Sequence, residues 1–151
     1  IRLCRDYLHK IAAQKRFMPI SSLYHEFMPS LDGKIKMSKS NPKGSIFIPE
    51  NPAVAAKVIQ GAFTGGRATL EEQRKHGAII EKDMVYALLR HQLVESDKEL
   101  KKIHDDYASG KMLSGEIKHI AVEKMTAFLE KFDEDVKKYQ PHVKEMDFAT
   151  Q

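Results

Sequence analysis

The sequence predicts a mainly α protein in two parts: a short front part made of a helix, a strand and a polar loop, and behind it a longer all-α bundle of about five helices. Three observations carry this reading. Residues 1–48 hold nine Lys/Arg against three Asp/Glu, whereas residues 49–151 hold sixteen against eighteen, so anion-binding character lies at the front. Glycines and prolines gather from Pro29 to Pro52 and mark loop and linker, which places a domain boundary near Pro49 and divides the chain into 1–48 and 49–151. From residue 51 onward, helix caps and apolar positions at helical spacing succeed one another.

Taken in order, Ile1, Cys4, Leu8 and Ile11 recur at helical spacing opposite Arg2, Arg5, Asp6, His9 and Lys10, which predicts an amphipathic helix ending near Lys15. Met18–Phe27 has the length and the Ile, Leu, Tyr and Phe content of a strand. Residues 30–45 read as polar loop, and Ile46-Phe47-Ile48 as an apolar triplet packed on the front part. Asn51 caps a helix with Pro52 at its first position and Gly61 at its end. Thr69 with Glu72 forms a capping box for a segment closing at Gly77, and a third helix runs from about Asp83 to Val94. Ser96 with Glu99 forms a second box, its helix stopping at Gly110. The longest helix starts at a Ser114 cap and carries Ile117, Ile120, Ala121, Met125, Phe128, Phe132 and Val136, with Pro141 after its end.

Composition narrows the class. With 42% hydrophobic and 30% charged residues over 151 positions, the chain is too apolar for a disordered polyelectrolyte. Its single cysteine excludes an internal disulfide and a cysteine-based zinc cage, and fits a reducing, cytoplasmic setting. No run approaches the roughly 18–20 apolar residues of a membrane span. The sequence starts at Ile1 without a methionine and reads as part of a longer polypeptide. His91 and Glu95 stand four apart, but no third ligand accompanies them, so no metal site is expected.

The richest stretch chemically is residues 33–44, Gly-Lys-Ile-Lys-Met-Ser-Lys-Ser-Asn-Pro-Lys-Gly. Lys36 and Lys39, the hydroxyls of Ser38 and Ser40 and the flanking Gly and Pro make a loop able to wrap a polyphosphate with ammonium groups, hydroxyls and backbone N–H donors. It lacks the glycine–lysine spacing of a P-loop, and composition alone fits a solvated surface loop as well. Lys36-Met37-Ser38-Lys39-Ser40 is, letter for letter, the KMSKS signature, and in this the chain resembles the class I aminoacyl-tRNA synthetases. The context, 27–31 before it and 44–47 after it, together with 62–67, 69–74 and 106–118, looks like the tryptophanyl-tRNA synthetases of eukaryotic and archaeal type. The likeness spans nearly the whole chain.

That resemblance implies a fold and a reaction. The front part would be the end of a Rossmann-like class I catalytic domain, and the bundle an anticodon-binding domain. The enzymes of that family activate tryptophan with ATP and Mg²⁺, release pyrophosphate, and esterify tRNA(Trp), acting as homodimers. Lys36 and Lys39 would be catalytic, stabilising the departing pyrophosphate, while Met37 anchors the loop and Ser38 and Ser40 add phosphate contacts, so that residues 36–40 bind ATP. The family's second ATP motif, of His-Ile-Gly-His type, has no counterpart at His9, His25 or His76, so residues 1–151 are expected to be inactive alone.

Two further cations are candidates for RNA. Arg67 follows a Gly-Gly pair, where backbone can approach a nucleotide closely, and Lys118 lies one turn into the longest helix. Spacing alone also fits solvated side chains, with Glu71 and Glu72 close to Arg67. The resemblance implies anticodon contacts from both segments, with one departure: Ala68 stands where that family tends to carry an acidic residue, removing an acceptor for a cytosine amino group. Alternatives from other classes are a stand-alone tRNA-binding helical module and a tyrosyl-type class I ligase.

Overall fold

The computed structural model describes residues 21–24 and 26–145, together with Arg2, Asp6, Tyr7 and Lys10. Those four are helical, within the segment read as an amphipathic helix; its apolar stripe of Ile1, Cys4, Leu8 and Ile11 and its expected end at Lys15 lie outside the described residues.

The strand expected over Met18–Phe27 does not form at 21–24, 26 or 27, and residues 18–20 and His25 lie outside the described residues. The cause is the lack of a ladder partner: a strand's N–H and C=O groups need a neighbouring strand, and no strand occurs among the described residues. Leu23, Tyr24 and Phe27 are accordingly exposed despite their apolar character. Residues 30–45 are loop, as the composition predicts, interrupted by one 3₁₀ turn at Pro42–Gly44.

Five α-helices follow: α1 (Pro52–Gln60), α2 (Leu70–His76), α3 (Met84–Leu88), α4 (Asp97–Ala108) and α5 (Ser114–Glu145). Their starts are local chemistry. The Asn51 side chain accepts from the Ala53 N–H at 2.8 Å, Thr69 Oγ1 from Glu72 N–H at 3.2 Å, and Ser96 Oγ from Glu99 N–H at 3.4 Å, each satisfying a donor that the first helical turn leaves orphaned. α3 continues into a π-helical turn at Leu89–Leu93, closed by Val94 N–H to the Leu89 carbonyl at 2.9 Å. The wider turn lets the consecutive residues Leu88 and Leu89 both face the core.

The last helix differs from expectation at both ends. Ser114 is not its cap: the Leu113 N–H is accepted by the Glu116 carboxylate at 2.7 Å, and the Ser114 hydroxyl is taken by Tyr107. Nor does the helix stop before Pro141; it runs to Glu145, and the proline removes only the N–H that would bond the Lys137 carbonyl on an exposed face.

One apolar core collects Ala55 and Ile59 of α1, Val85 and Leu88 of α3, Leu89, Ile103 and Tyr107 of α4, and Ile117, Ala121, Met125 and Leu129 of α5. Leu31, at the base of the Lys/Ser-rich loop, is fully buried in it, with Met28, Met37 and Ile46 packed alongside. Burying a side chain of Leu or Ile size is worth roughly 1.5–3 kcal/mol, so Leu31 ties the loop to the helices with an energy comparable to several surface ion pairs. Beyond Leu129 the stripe of α5 leaves the core, and Val136, Tyr139 and Val143 are exposed.

Candidate functional site

The loop carrying Lys36 and Lys39 is closed at its base and open at its tip. Leu31 N–H bonds the Gly44 carbonyl at 2.9 Å, joining the two ends, and Met37 N–H bonds the Met28 carbonyl at 3.2 Å. Gly33, at φ +87°, makes the turn that sends the chain outward, a conformation glycine adopts without steric cost. Within the tip, Ser38 and Ser40 hydroxyls lie 2.8 Å apart, Asn41 N–H bonds the Ser38 carbonyl at 2.9 Å, and Ser45 Oγ donates to the Ser38 carbonyl at 3.2 Å.

Lys36 and Lys39 are exposed and neither forms an ion pair among the described residues; Lys36 Nζ lies 5.8 Å from the Phe27 ring centroid. The loop's one carboxylate, Asp32, is already occupied. Its oxygens accept from Ser30 Oγ at 2.6 Å and Asn41 Nδ2 at 2.9 Å, and Lys34 Nζ stands 3.1 Å away. The Ser30 and Asn41 hydrogen bonds, reinforced by Lys34, hold its pKa well below the ordinary carboxylate range. Two free ammonium groups beside hydroxyl donors, with the nearby carboxylate neutralised by its own partners, form a donor set that fits a polyphosphate.

Met37 points the other way. It is half-buried and lines an apolar cavity of about 220 Å³ with Met28, Ile46, Leu93, Met125 and Phe128, so the second residue of the pentapeptide rests against α5 while Lys36, Lys39 and Ser40 face solvent.

The two cations read as RNA contacts lie on the helical body. Arg67 Nε donates to the Gly77 carbonyl at 2.9 Å and its N–H is accepted by Gln73 Oε1 at 2.8 Å. Lys118 Nζ donates to the Gln60 carbonyl at 2.7 Å, capping the end of α1, and burial lowers its pKa. Both side chains therefore make structural bonds. They belong to one region, because Gly66 lies against Ser114, one helical turn before Lys118: a Cβ on Gly66 would come within 2.2 Å of Ser114 Oγ.

What holds that region is a residue with no marked role in the sequence. Asp83, buried ahead of α3, accepts from Tyr86 N–H at 2.7 Å through Oδ1, and through Oδ2 from Gly65 N–H and Tyr107 OH, both at 2.8 Å. Tyr107 OH also lies 3.0 Å from Ser114 Oγ. Burial pushes the Tyr107 phenol pKa up, with the Asp83 carboxylate adding to the shift. An aspartate before an apolar run signals a helix cap, and Asp83 is one, but its partners 18 and 24 residues away leave no local trace.

The family described as tRNA synthetases class I (W and Y) matches residues 1–130. The chain belongs to that family. Among its relatives, the tryptophan–tRNA ligase of Methanocaldococcus jannaschii is 40% identical over 146 residues, 97% of this chain and 38% of the relative. The cytoplasmic tryptophan–tRNA ligase of Dictyostelium discoideum is 38% identical over 130 residues, 85% of this chain and 31% of the relative. The crystal structure of tryptophanyl-tRNA synthetase from Aeropyrum pernix superposes with a TM-score of 0.86 at 40% identity, covering 91% of this chain and 37% of that one. The chain thus spans less than two-fifths of the length of these relatives. As a class I synthetase segment, it carries the KMSKS string on a loop whose base is packed into the helical body, and no helix among its described residues is long and apolar enough to cross a membrane.

Proposed function

We propose that this chain is the part of a tryptophan–tRNA ligase that closes over ATP and carries the tRNA-reading helices. The observation that supports it most is the pairing of an exposed, carboxylate-free Lys36 and Lys39 on a base-pinned loop with about 40% identity to tryptophan–tRNA ligases across almost the whole chain. When the tryptophan carboxylate attacks the α-phosphate of ATP, the bond to pyrophosphate breaks and negative charge accumulates on the leaving group. Lys36 and Lys39, brought to it by the loop, stabilise that charge more than the ground state, each contributing on the order of 2–4 kcal/mol. Ser38 and Ser40 supply hydroxyl and N–H donors, and Met37 keeps the pentapeptide seated on α5. Mg²⁺ enters with ATP and offsets part of the polyphosphate charge; no residue of this chain is assigned to hold it.

In this reading residues 1–48 close a catalytic domain of Rossmann type, residues 49–151 form the anticodon-binding domain, and the complete ligase is a cytoplasmic homodimer acting on tRNA(Trp). Arg67 and Lys118 contact the anticodon: Arg67 offers its two Nη groups, which have no partner among the described residues, and Lys118 turns from the Gln60 carbonyl to the RNA. The sixteen cations against eighteen anions of residues 49–151 give no bulk attraction for phosphate, so these contacts are local. Residues 1–151 alone are inactive. The test is amino-acid-dependent ATP–pyrophosphate exchange by the full-length protein: exchange with tryptophan and not tyrosine supports the reading, and exchange with tyrosine, or with neither, refutes it.

A further inference from the structure

Residues 35–40 are held from both flanks by one side chain. On the entering side, Asp32 binds Lys34 through Nζ at 3.1 Å and through its N–H at 3.4 Å. On the leaving side, its Oδ2 accepts from Asn41 Nδ2 at 2.9 Å, directly after Ser40. Ser30, fully buried, completes the tie: its hydroxyl lies 2.6 Å from Asp32 Oδ1 and 3.1 Å from the Gly44 carbonyl, and accepts from Asn41 Nδ2 at 3.2 Å. The tie is tightly fitted. A Cβ on Gly44 would lie 2.1 Å from Ser30 Oγ and 2.8 Å from both Asn41 Nδ2 and Asp32 Oδ1, so only glycine lets the returning backbone approach so closely.

We infer that Asp32, together with Ser30 and Asn41, is a positioning clamp that fixes both flanks of the KMSKS pentapeptide and sets where Lys36 and Lys39 stand. This rests on the proposed ligase reading for its consequence in catalysis, though not for its hold on the loop. Two physical effects follow from one carboxylate. Ordering both flanks in advance lowers the entropy that must be lost when the lysines engage the leaving pyrophosphate. Satisfying Asp32 with donors from three residues, Ser30, Lys34 and Asn41, keeps an acidic side chain from pairing with Lys36 or Lys39 and from repelling the polyphosphate. Asp32 itself touches no reacting atom, so it is a positioning residue.

The experiment uses the wild type, Asp32→Asn, and the exchanged pair Asp32→Asn with Asn41→Asp, in which the amide and the carboxylate trade places and can re-form the bond. Amide hydrogen exchange on this chain should show the Met37, Asn41 and Gly44 N–H groups exchanging about tenfold faster in Asp32→Asn, with protection regained in the exchanged pair. In the full-length protein, tryptophan-dependent ATP–pyrophosphate exchange should lose about tenfold in kcat in Asp32→Asn with the KM for tryptophan unmoved, and recover in the exchanged pair. Unchanged amide protection in Asp32→Asn, or loss that the exchanged pair does not recover, overturns the clamp. Lys39→Ala in the same assay separates the two claims. If Lys39→Ala is impaired and Asp32→Asn is not, the clamp fails and the ligase reading stands; if Lys39→Ala is unimpaired while Asp32→Asn exchanges faster, the clamp holds the loop and the ligase reading fails.

Discussion

Asp83→Ala removes a side chain that is 1% exposed and accepts three hydrogen bonds of 2.7–2.8 Å. Tyr107 can still pair with Ser114, but the N–H groups of Gly65 and Tyr86 lose their acceptor. A buried donor left unpaired costs about 1–3 kcal/mol, and loss of the cap on α3 is contained in the Tyr86 bond, so the variant should lose about 3–5 kcal/mol. For a chain of this length that corresponds to a Tm roughly 10 °C lower. Asp83→Asn should lose less, about 2–3 kcal/mol, because Oδ1 still accepts from Tyr86 while the new amide group opposes the Gly65 N–H. Urea titration and thermal melts followed by circular dichroism measure both, and amide exchange at Gly65 shows whether the damage reaches the loop bearing Arg67. Loss of less than about 1 kcal/mol in Asp83→Ala would refute the view that this carboxylate organises the region.

The raised pKa of Tyr107 has a defined sign: its contribution is full below the unfolded value near 10 and is lost as pH rises from about 10 toward the folded value. Stability of the wild type should therefore fall more steeply above pH 10 than that of Tyr107→Phe, measured by urea midpoints across that range; parallel curves would contradict it. Arg67→Ala and Lys118→Ala in the full-length protein should raise the KM for tRNA at a cost of roughly 1–3 kcal/mol each while sparing tryptophan activation. Undiminished discrimination against anticodon-substituted tRNA in both variants would leave these side chains with their structural bonds to Gly77 and Gln60 alone.

What was legible in the sequence depended on how local its cause is. Asn51, Thr69 and Ser96 announce helices because a cap bonds a donor two or three residues on, and each bond is present. The pentapeptide was legible as a string. The absence of a strand at residues 21–24, 26 and 27 was not, since propensity cannot say whether a partner lies alongside. Ser114 misled for a related reason: it sits where a cap belongs, but Tyr107, brought near by the fold, takes its hydroxyl, and Glu116 caps from inside the helix. Along α5 the spacing identified Ile117, Ala121 and Met125 as core but passed over the buried Leu129 in favour of the more exposed Phe128. Asp32 was invisible as well, because its meaning lies in Asn41 and Gly44 returning to it across the loop.

In the proposed reaction Lys36 and Lys39 act on the departing pyrophosphate. Rapid-quench measurement of a single turnover of tryptophanyl-adenylate formation, at saturating ATP, in the full-length protein and its Lys36→Ala and Lys39→Ala variants, addresses it directly. A loss of 2–4 kcal/mol predicts rates lower by about 30- to 1000-fold in each variant, with a much smaller change in ATP affinity. Adenylate formed at the unmutated rate in both variants would contradict it and remove the loop from the chemistry.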